Sequence, residues 1–451
     1  MYLFLTSGIR HCVSVLLFVL YALTPIASNA QHVKAGSYPL SLSEAVSLAK
    51  DQNKWVQVAK TQAQASKADL KDAYSAALPI ANASSSYQRF SDLTVFTDGL
   101  SSSKTGPRKA TPNAANVGVD ATFNIYSGGK QKAFEEEVES KNKLADINSS
   151  DQSGFYGMQT AGQYLNLVQL GELRKFILDQ LKRAEARLKN ISSLYKNQKV
   201  TRSDVLRAEV MLSNVELSLQ QTDNDISISN ERLTVLLNLP DTIRVLPTDS
   251  AGMPKPALAE LSVLAGLAPV SSFSVLKAQQ TINTQQARLK GVKSAYMPTL
   301  SFYTAYGLNY PNNLLFPPVD QAYSIGFVGL KLQYNISSLY HNKHKVEAGK
   351  IRLTEVELQK QAIADNVGQE VKSLLIKYGE ALNRITVKEK NIEQSRVNYR
   401  IVSTKYFNQL ALLTDLLDAD NLLTASRFEL ITAQTDALTI YYRLLYTSGK
   451  L

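Results

Sequence analysis

Two histidines come closest to a metal-binding or catalytic motif in this chain. His341 and His344 are three residues apart, which could place two imidazole ligands on one face of a helix. We find no carboxylate or cysteine nearby to complete a ligand set and interpret the pair as polar residues at a helix start. No nucleophile motif or phosphate-binding loop occurs, since Gly128-Gly129 is more simply a turn. The sequence therefore predicts no enzyme and no cofactor.

Two aspartates could serve a different chemistry, the attraction of cations. Asp415 and Asp418 are three residues apart and can share one helix face, and Asp204 occupies the place equivalent to Asp415 in the first half. Carboxylates that line a pore attract cations. The alternative is that they only cap the helices that begin there, which is worth about 0.3–1 kcal/mol each. Because Thr414 and Ser203 fit the cap positions better, the attraction of cations stays open.

The composition is that of a folded protein. Of 451 residues, 44% are hydrophobic and 20% are charged, and the formal net charge is +10. We interpret the basic excess as solvated helix faces, because nucleic-acid binding would require clustered Lys and Arg with interleaved aromatics. No nucleic-acid partner is therefore predicted.

Residues 1–30 have the pattern of a secretory signal peptide. An apolar run from Cys12 to Leu23 is followed by small residues at Ser28 and Ala30, which predicts cleavage after Ala30. An N-terminal membrane anchor is the alternative, but a spanning helix needs about 20 apolar residues, and no other apolar run is that long. The single cysteine lies in this segment, so the mature chain would hold no disulfide or cysteine-bound metal.

Proline placement predicts where long helices can form. No proline occurs from Asn113 to Leu239 or from Val319 to Leu451, and a proline inside a helix costs about 3 kcal/mol. Apolar periodicity predicts helices from about Lys130 to Tyr195 and from about Asn342 to Tyr406. At ~1.5 Å per residue, each would be on the order of 100 Å long.

A heptad seam in the last helical segment also occurs in the first half. Its positions are Leu416, Leu423, Leu430, Ala437 and Leu444, with Ala419, Ser426, Ala433 and Ile440. The positions 211 residues earlier are Val205, Leu212, Leu219, Ile226 and Leu233, with Ala208, Val215, Thr222, Ser229 and Leu236. The shared phase indicates a tandem duplication with coiled-coil packing.

Four segments alternate apolar and polar residues, as half-exposed strands do. They lie at about 80–92, 116–126, 299–310 and 322–336. The apolar phase of the last segment slips near Gly329, which predicts a bulge there. The predicted organisation is a first repeat (31–240) with a tip at 197–203, a linker (241–269), and a second repeat (270–451) with a tip at 408–414.

Four such strands match tilted outer membrane strands in length but cannot close a barrel within one chain. An open edge cannot sit in lipid, so a membrane location demands several chains, with eight strands from two or twelve from three. A barrel continued by long helices is a duct. The rival interpretation, a periplasmic coiled-coil adaptor or structural protein, explains the helices but not the amphipathic strands.

The duplicated order of elements resembles the TolC outer membrane efflux family over essentially the whole mature chain. Tyr406–Ala419 looks like that family's second helical tip, Tyr195–Glu209 like its first, and Asn124–Gly129 like its strand-to-helix turn. The resemblance implies a mainly α fold with a β-barrel membrane part. Three copies would form a 12-stranded barrel in the outer membrane of a Gram-negative bacterium, above an α-helical coiled-coil barrel in the periplasm with an equatorial belt.

The same resemblance implies a passive duct of a tripartite efflux or type I secretion system. The homotrimer would contact outer membrane lipid and dock onto a periplasmic adaptor coupled to an inner membrane pump. Asp415 and Asp418 match aspartates that ring the periplasmic entrance. Asp204 and Tyr406 match residues that hold neighbouring helices together in the closed state.

The tips are expected to meet the adaptor, because exposed turns between helices are natural contact points. Ala411 stands where some family members have an arginine that locks the entrance, so Arg202 or Lys199 is expected to supply that cation. The predicted adaptor contacts are Asn197, Gln198, Lys199, Val200, Thr201, Asn408, Gln409, Leu410, Ala411 and Leu412.

Both tips depart from the family at one further position. The family usually has glycine where this chain has Gln198 and Gln409. Asparagine tolerates the left-handed backbone conformation, so the preceding Asn197 and Asn408 are expected to adopt it instead.

Overall fold

The computed structural model describes residues 36–91, 112–314 and 319–451, so the predicted signal peptide lies outside the described residues. The strands are β1 (Gly36–Leu40), β2 (Ile80–Arg89), β3 (Asn113–Tyr126), β4 (Ile243–Pro247), β5 (Thr299–Tyr310) and β6 (Tyr323–Gln333). The helices are α1 (Leu42–Gln52), α2 (Lys54–Ser75), α3 (Lys130–Lys196), α4 (Arg202–Leu237), α5 (Leu258–Ser271), α6 (Phe273–Lys293), α7 (Lys343–Phe407) and α8 (Leu413–Thr447), with single turns at Ser294–Tyr296 and Ser338–His341.

The first helical stretch begins after Ser41 and is interrupted once. Ser41 and Glu44 form a capping box, in which each backbone N–H donates to the other residue's side chain. Asn53 is extended, and its side chain caps α2 by accepting from the Trp55 N–H at 2.9 Å. Its amide also donates to the Leu236 carbonyl, so the break ties α1 and α2 to the end of α4.

Helices α3 and α7 are the longest elements. They contain 67 and 65 residues, which corresponds to on the order of 100 Å each. Each turns back into a shorter antiparallel partner, α4 or α8. Every predicted seam position on α4 and α8 is buried or half-buried. The seam allows close approach, since the Ser395 and Ser426 hydroxyls hydrogen-bond across it at 2.8 Å.

Strands from both halves form one antiparallel sheet in the order β2-β3-β5-β6. The halves meet where β3 pairs with β5, from Ala115 opposite Tyr310 to Phe123 opposite Phe302. All four strands lie within about three residues of the segments predicted from alternation. Among the described strands, β2 and β6 are the edges, so these four strands do not close into a barrel within one chain.

The sheet has an apolar and a polar face, because directly opposed residues point to the same side. The apolar face is exposed in the single chain and carries Val117, Val119, Phe123, Phe302, Tyr306, Leu308, Val328, Leu330 and Leu332. On the polar face, side chains hydrogen-bond across strands in the pairs Asn82–Asp120, Asn116–Asn309 and Asn124–Ser301.

The bulge predicted at Gly329 is wrong, because β5 and β6 pair without a register shift. Gly329 lies against the Tyr303 ring, and an added Cβ would come within 2.7 Å of that ring. Phe327 also packs on Tyr303, so an apolar cluster on the polar face causes the slip in the pattern. The register shift occurs instead between Asn124 and Tyr126 on β3.

Below the sheet, α2, α3, α6 and α7 stand side by side in the lateral order of the strands they continue. Gln131 on α3 donates to the Ala73 carbonyl of α2 at 2.8 Å, and Lys290 on α6 pairs with Glu136 on α3 at 2.6 Å. The turn from β3 into α3 requires Gly128, whose φ is +65° and whose Cβ would meet a backbone oxygen at 2.7 Å. This short turn fixes the position of α3 relative to the sheet.

The largest buried cluster lies halfway along the long helices, where the parallel pair β1–β4 covers α3. Tyr164 is fully buried there, and its hydroxyl donates to the Leu40 carbonyl at 2.8 Å and contacts the Asp249 carboxylate at 3.1 Å. Burial raises the pKa of Tyr164 to about 12. The predicted linker thus contributes β4 to this cluster, while α5 packs against α7.

One further segment, Leu258–Tyr296, is long and apolar enough to cross a membrane by length and composition, with a mean hydropathy of 1.5 in its most apolar window. The sequence had led us to expect no second such run. The segment is not one continuous helix, because Ser272 is extended and separates α5 from α6. Both helices pack against α7.

Candidate functional site at the helical tips

At the first helical tip, which joins α3 to α4, helix α3 ends in a Schellman motif. The Lys199 N–H donates to the Leu194 carbonyl at 2.9 Å, and the Gln198 N–H donates to the Tyr195 carbonyl at 2.8 Å. This register puts Gln198 in the left-handed conformation, with φ of +60°. The prediction for Asn197 is wrong: its φ is −92°, because the hydrogen-bond register decides which residue is left-handed.

The second tip, between α7 and α8, repeats the motif. The Leu410 N–H donates to the Lys405 carbonyl at 2.8 Å, and the Gln409 N–H donates to the Tyr406 carbonyl at 2.9 Å. Gln409 has φ of +63° and Asn408 has φ of −90°, so the prediction for Asn408 is wrong for the same reason. A left-handed non-glycine residue costs about 1–2 kcal/mol.

A complete capping box opens α4. The Thr201 N–H donates to the Asp204 carboxylate at 2.9 Å, and the Asp204 N–H donates to the Thr201 hydroxyl at 3.2 Å. Thr201 is therefore the N-cap, and the prediction that Ser203 caps this helix is wrong. The Asp204 carboxylate is engaged in its own helix start, which is the capping interpretation of this aspartate.

Helix α8 begins with half of that arrangement. The Leu412 N–H donates to the Asp415 carboxylate at 3.0 Å, but leucine has no hydroxyl to accept from the Asp415 N–H. Thr414, predicted as the cap, is instead the second helical residue. Leu410 and Leu412 are 75% and 70% exposed, so this tip presents apolar side chains.

Asp415 and Asp418 are both exposed on the first turns of α8, beside the buried seam residues Leu416 and Ala419. Within the described residues neither aspartate forms an ion pair, whereas Asp420, further along α8, forms two. The first two aspartates therefore leave their charge available to whatever faces this surface.

Tyr406 lies in the buried cluster between the two helix pairs, which also contains Ile191. Its hydroxyl has no hydrogen-bond partner among the described residues. Burial raises the pKa of Tyr406, the nearby Asp204 carboxylate raises it further, and Arg187 lowers it. The structure thus brings Tyr406 close to Asp204 without a direct hydrogen bond. Its counterpart in the first half, Tyr195, is 41% exposed.

An ion cluster that the sequence did not predict joins α3 to α8. Asp420 is 0% exposed, and its carboxylate accepts from Arg183 Nε at 2.8 Å and from Arg187 Nη2 at 2.6 Å. Arg202 and Lys199, predicted to supply a cation, are exposed, and no ion pair involving either occurs within the described residues. The cation whose charge acts on Tyr406 is instead Arg187, which lowers the pKa of that hydroxyl.

Sequence reasoning missed this cluster because Asp420 lies next to the heptad seam. Helix α8 packs against α3 as well as α7, so it has a second buried face that a single heptad does not show. One signal was available: Arg183 and Arg187 are four residues apart and share a face of α3, where an acidic partner would be required.

The histidine pair lies at the other end of α7, near the sheet. His341 and His344 are exposed, and His344 Nδ1 lies 3.3 Å from the Glu347 carboxylate, an acidic neighbour that the sequence argument overlooked. Across residues 36–91, 112–314 and 319–451, no three His, Cys, Asp or Glu side chains are grouped to hold a metal ion.

No family model and no curated protein sequence matches the chain. Among solved structures, it is similar to the outer membrane protein VceC of Vibrio cholerae, with a TM-score of 0.73 and 15% identity over 90% of this chain and 96% of VceC. It is similar to the outer membrane channel CmeC of Campylobacter jejuni, with a TM-score of 0.73 and 16% identity over 91% of this chain and 85% of CmeC. For the outer membrane channel MtrE of Neisseria gonorrhoeae the TM-score is 0.70, with 16% identity over 91% and 89%. The chain therefore has a mainly helical fold similar to that of outer membrane channels, which confirms the resemblance to the TolC type.

Proposed function

We propose that the protein is a passive export duct in the outer membrane of a Gram-negative bacterium. One observation carries the proposal: the four-stranded sheet exposes an apolar face, bears polar side chains on the other, and has unpaired edges. Backbone groups cannot stay unpaired in hydrocarbon, so such a face is stable in lipid only when the edges close into a barrel. The fold shared with outer membrane channels supports this location.

The barrel would close between copies of the chain. With four antiparallel strands, β2 and β6 run in opposite directions, so β6 of one copy can pair antiparallel with β2 of the next. Eight strands from two copies would leave an interior that side chains fill, whereas twelve from a homotrimer leave room for a duct. Helices α2, α3, α6 and α7 of each copy would continue the wall into the periplasm.

The tips would form the periplasmic entrance of a tripartite efflux or type I secretion system. Exposed Leu410 and Leu412 offer apolar anchors to a periplasmic adaptor, and an inner membrane pump coupled to that adaptor would supply the energy. Asp415 and Asp418 of three copies would ring the entrance and favour cations. Tyr406, close to Asp204, would help hold the helix pairs together when the entrance is closed.

Fractionation, native mass and conductance test the proposal together. The protein should fractionate with outer membranes, require detergent, have the mass of three chains and form pores in planar bilayers. Leu330→Glu on the apolar face should block insertion, whereas the matched Ser301→Glu on the polar face should not. A protein that is soluble without detergent, as a periplasmic rod would be, or a stable pore-free monomer would reject the duct.

A further inference from the structure

Unpaired lysines concentrate where the helices meet the sheet. Five lysines in the helical turns nearest the sheet, here called the lysine collar, are Lys130, Lys132, Lys293, Lys343 and Lys345. All five are exposed, and within the described residues none of them forms an ion pair. The ion pairs at this level are made by Arg288 with Glu137 and by Lys290 with Glu136 instead.

Acidic residues do not balance the collar. Asp72, near the end of α2, is the only acidic residue in the helical turns that adjoin the strands or in the described connections between those turns and the sheet. The nearest glutamates contact other side chains: Glu135 accepts from Gln131, Glu347 lies beside His344, and Glu136 and Glu137 pair with α6. The junction is therefore a band of positive charge around the base of the sheet.

Aromatic side chains lie at the same level as the collar. Tyr126, Tyr334 and Tyr340 are exposed between the end of the sheet and the first turns of the helices. Tyrosine is enriched at the boundary between hydrocarbon and water, because its ring is apolar and its hydroxyl is polar. The exposed apolar face ends at Leu332, one strand residue before this boundary. The collar thus lies just beyond the apolar band.

Helix geometry directs part of the collar outward whichever side faces lipid. Successive residues of an α-helix are rotated by about 100°, so two residues that are two positions apart point to roughly opposite sides. This applies to Lys130 and Lys132 on α3 and to Lys343 and Lys345 on α7. Because α3 lies between α2 and α6, its two exposed lysines lie on the two faces of the helical layer, and one of them faces the outside of a closed assembly.

We infer that the lysine collar binds the phosphate headgroups of anionic phospholipids in the periplasmic leaflet of the membrane. This inference rests on the proposed outer membrane location. Lysine is a flexible point charge with three donors, which suits phosphate oxygens at the end of a mobile headgroup. Near an anionic surface each basic residue strengthens binding by about fivefold. The collar would fix the depth of the barrel and select the lipids around it.

The test compares two variants with the same change in charge. Lys130→Gln, Lys132→Gln, Lys343→Gln and Lys345→Gln together remove most of the collar. The control carries Lys182→Gln, Lys189→Gln, Lys390→Gln and Lys405→Gln, four exposed lysines towards the tips. Native mass spectrometry of full-length protein titrated with phosphatidylglycerol or phosphatidylcholine counts the lipids retained in mild detergent.

Wild type and control should retain phosphatidylglycerol in preference to phosphatidylcholine, and the collar variant should lose at least about tenfold of that preference. Equal retention by the collar variant and the control would overturn the inference, as would displacement of the lipid by millimolar inorganic phosphate. A wild-type protein that inserts and conducts without lipid preference refutes the collar alone. One that never enters a bilayer refutes the proposed function as well.

Discussion

The two helical tips share one backbone and differ in what surrounds it. Gln198 and Gln409 are left-handed in matching Schellman turns, with φ of +60° and +63°. Yet Tyr195 beside the first turn is 41% exposed, whereas its counterpart Tyr406 is 9% exposed. The duplicated halves thus agree where the main chain alone specifies the structure and differ where a side chain meets another element.

The difference originates in the partners of the two shorter helices. Helix α4 packs mainly against α3, whereas α8 packs against both α7 and α3. The second face of α8 buries Asp420, whose counterpart in the first half, Glu209, is exposed. A duplicated helix has therefore acquired a buried charge where its twin kept a solvated one.

The largest expected effect comes from this pair of positions. Asp420→Ala leaves Arg183 and Arg187 facing each other without an anion and should lower the free energy of unfolding by about 3–5 kcal/mol. Glu209→Ala, the matched change on α4, should stay within about 0.5 kcal/mol. Denaturant unfolding of both variants in detergent measures the contrast, and similar losses would show that the two helices are equivalent after all.

The helix caps should respond next. Thr201→Ala removes the reciprocal bond with Asp204 and should destabilise the start of α4 by about 1 kcal/mol. Leu412→Thr supplies the missing hydroxyl opposite Asp415 and should stabilise the start of α8 by a similar amount. Amide hydrogen exchange at the first turns of both helices reads each change locally. No gain in protection of α8 with Leu412→Thr would mean that the second tip cannot adopt the box.

Glycine at the left-handed positions should act equally on both tips. Gln198→Gly and Gln409→Gly relieve the strain of a left-handed side chain, worth about 1–2 kcal/mol, and lose about 0.5–1 kcal/mol to greater freedom of the unfolded chain. Each should therefore gain about 0.5–1 kcal/mol of stability by these terms. A thermal shift for one variant and none for the other would break the claim that the backbone of the two turns is the same.

We expect the smallest effect on stability at the exposed aspartates of the second tip. The same changes should have a clear effect on conduction. Asp415→Asn with Asp418→Asn should change the free energy of unfolding by less than about 0.5 kcal/mol, since both side chains are exposed and amides retain an acceptor. Cation selectivity in planar bilayers should fall, because a carboxylate ring would be neutralised. Unchanged reversal potentials would remove these residues from the proposed entrance.

Much of this fold is predictable because its signals are periodic. The long helices α3 and α7 follow from missing prolines and apolar spacing, and the strands follow from alternation, since a regular element repeats its pattern many times. The helix starts could have been read better: Thr201 and Asp204 have the spacing of a capping box. The left-handed residue could not be identified from the conformational preference of asparagine. The hydrogen bonds of the turn fix which position is left-handed, and Gln409 occupies that position although glutamine has no such preference.

Contacts between side chains of different helices or strands could not be predicted from the sequence. Asp420 and Arg187 are far apart along the chain, and their pairing depends on which side of α8 meets α3. The same applies to the Gly329–Tyr303 contact, which disturbs the strand pattern from a neighbouring strand. Periodicity describes one element at a time, whereas these sites depend on the docking of two.

The pairing of β3 with β5 sets the order in which this chain can fold. Ala115 and Tyr310 lie opposite each other, although the whole first helix pair, β4, α5 and α6 separate them in sequence. Contacts that close such long loops form late, so we expect the hairpins β2–β3 and β5–β6 to form first. Each would carry open edges prone to mispairing until its neighbours arrive. A newly made chain would then need a chaperone to protect these strand edges. The rate of assembly would depend on the concentration of other copies of the chain.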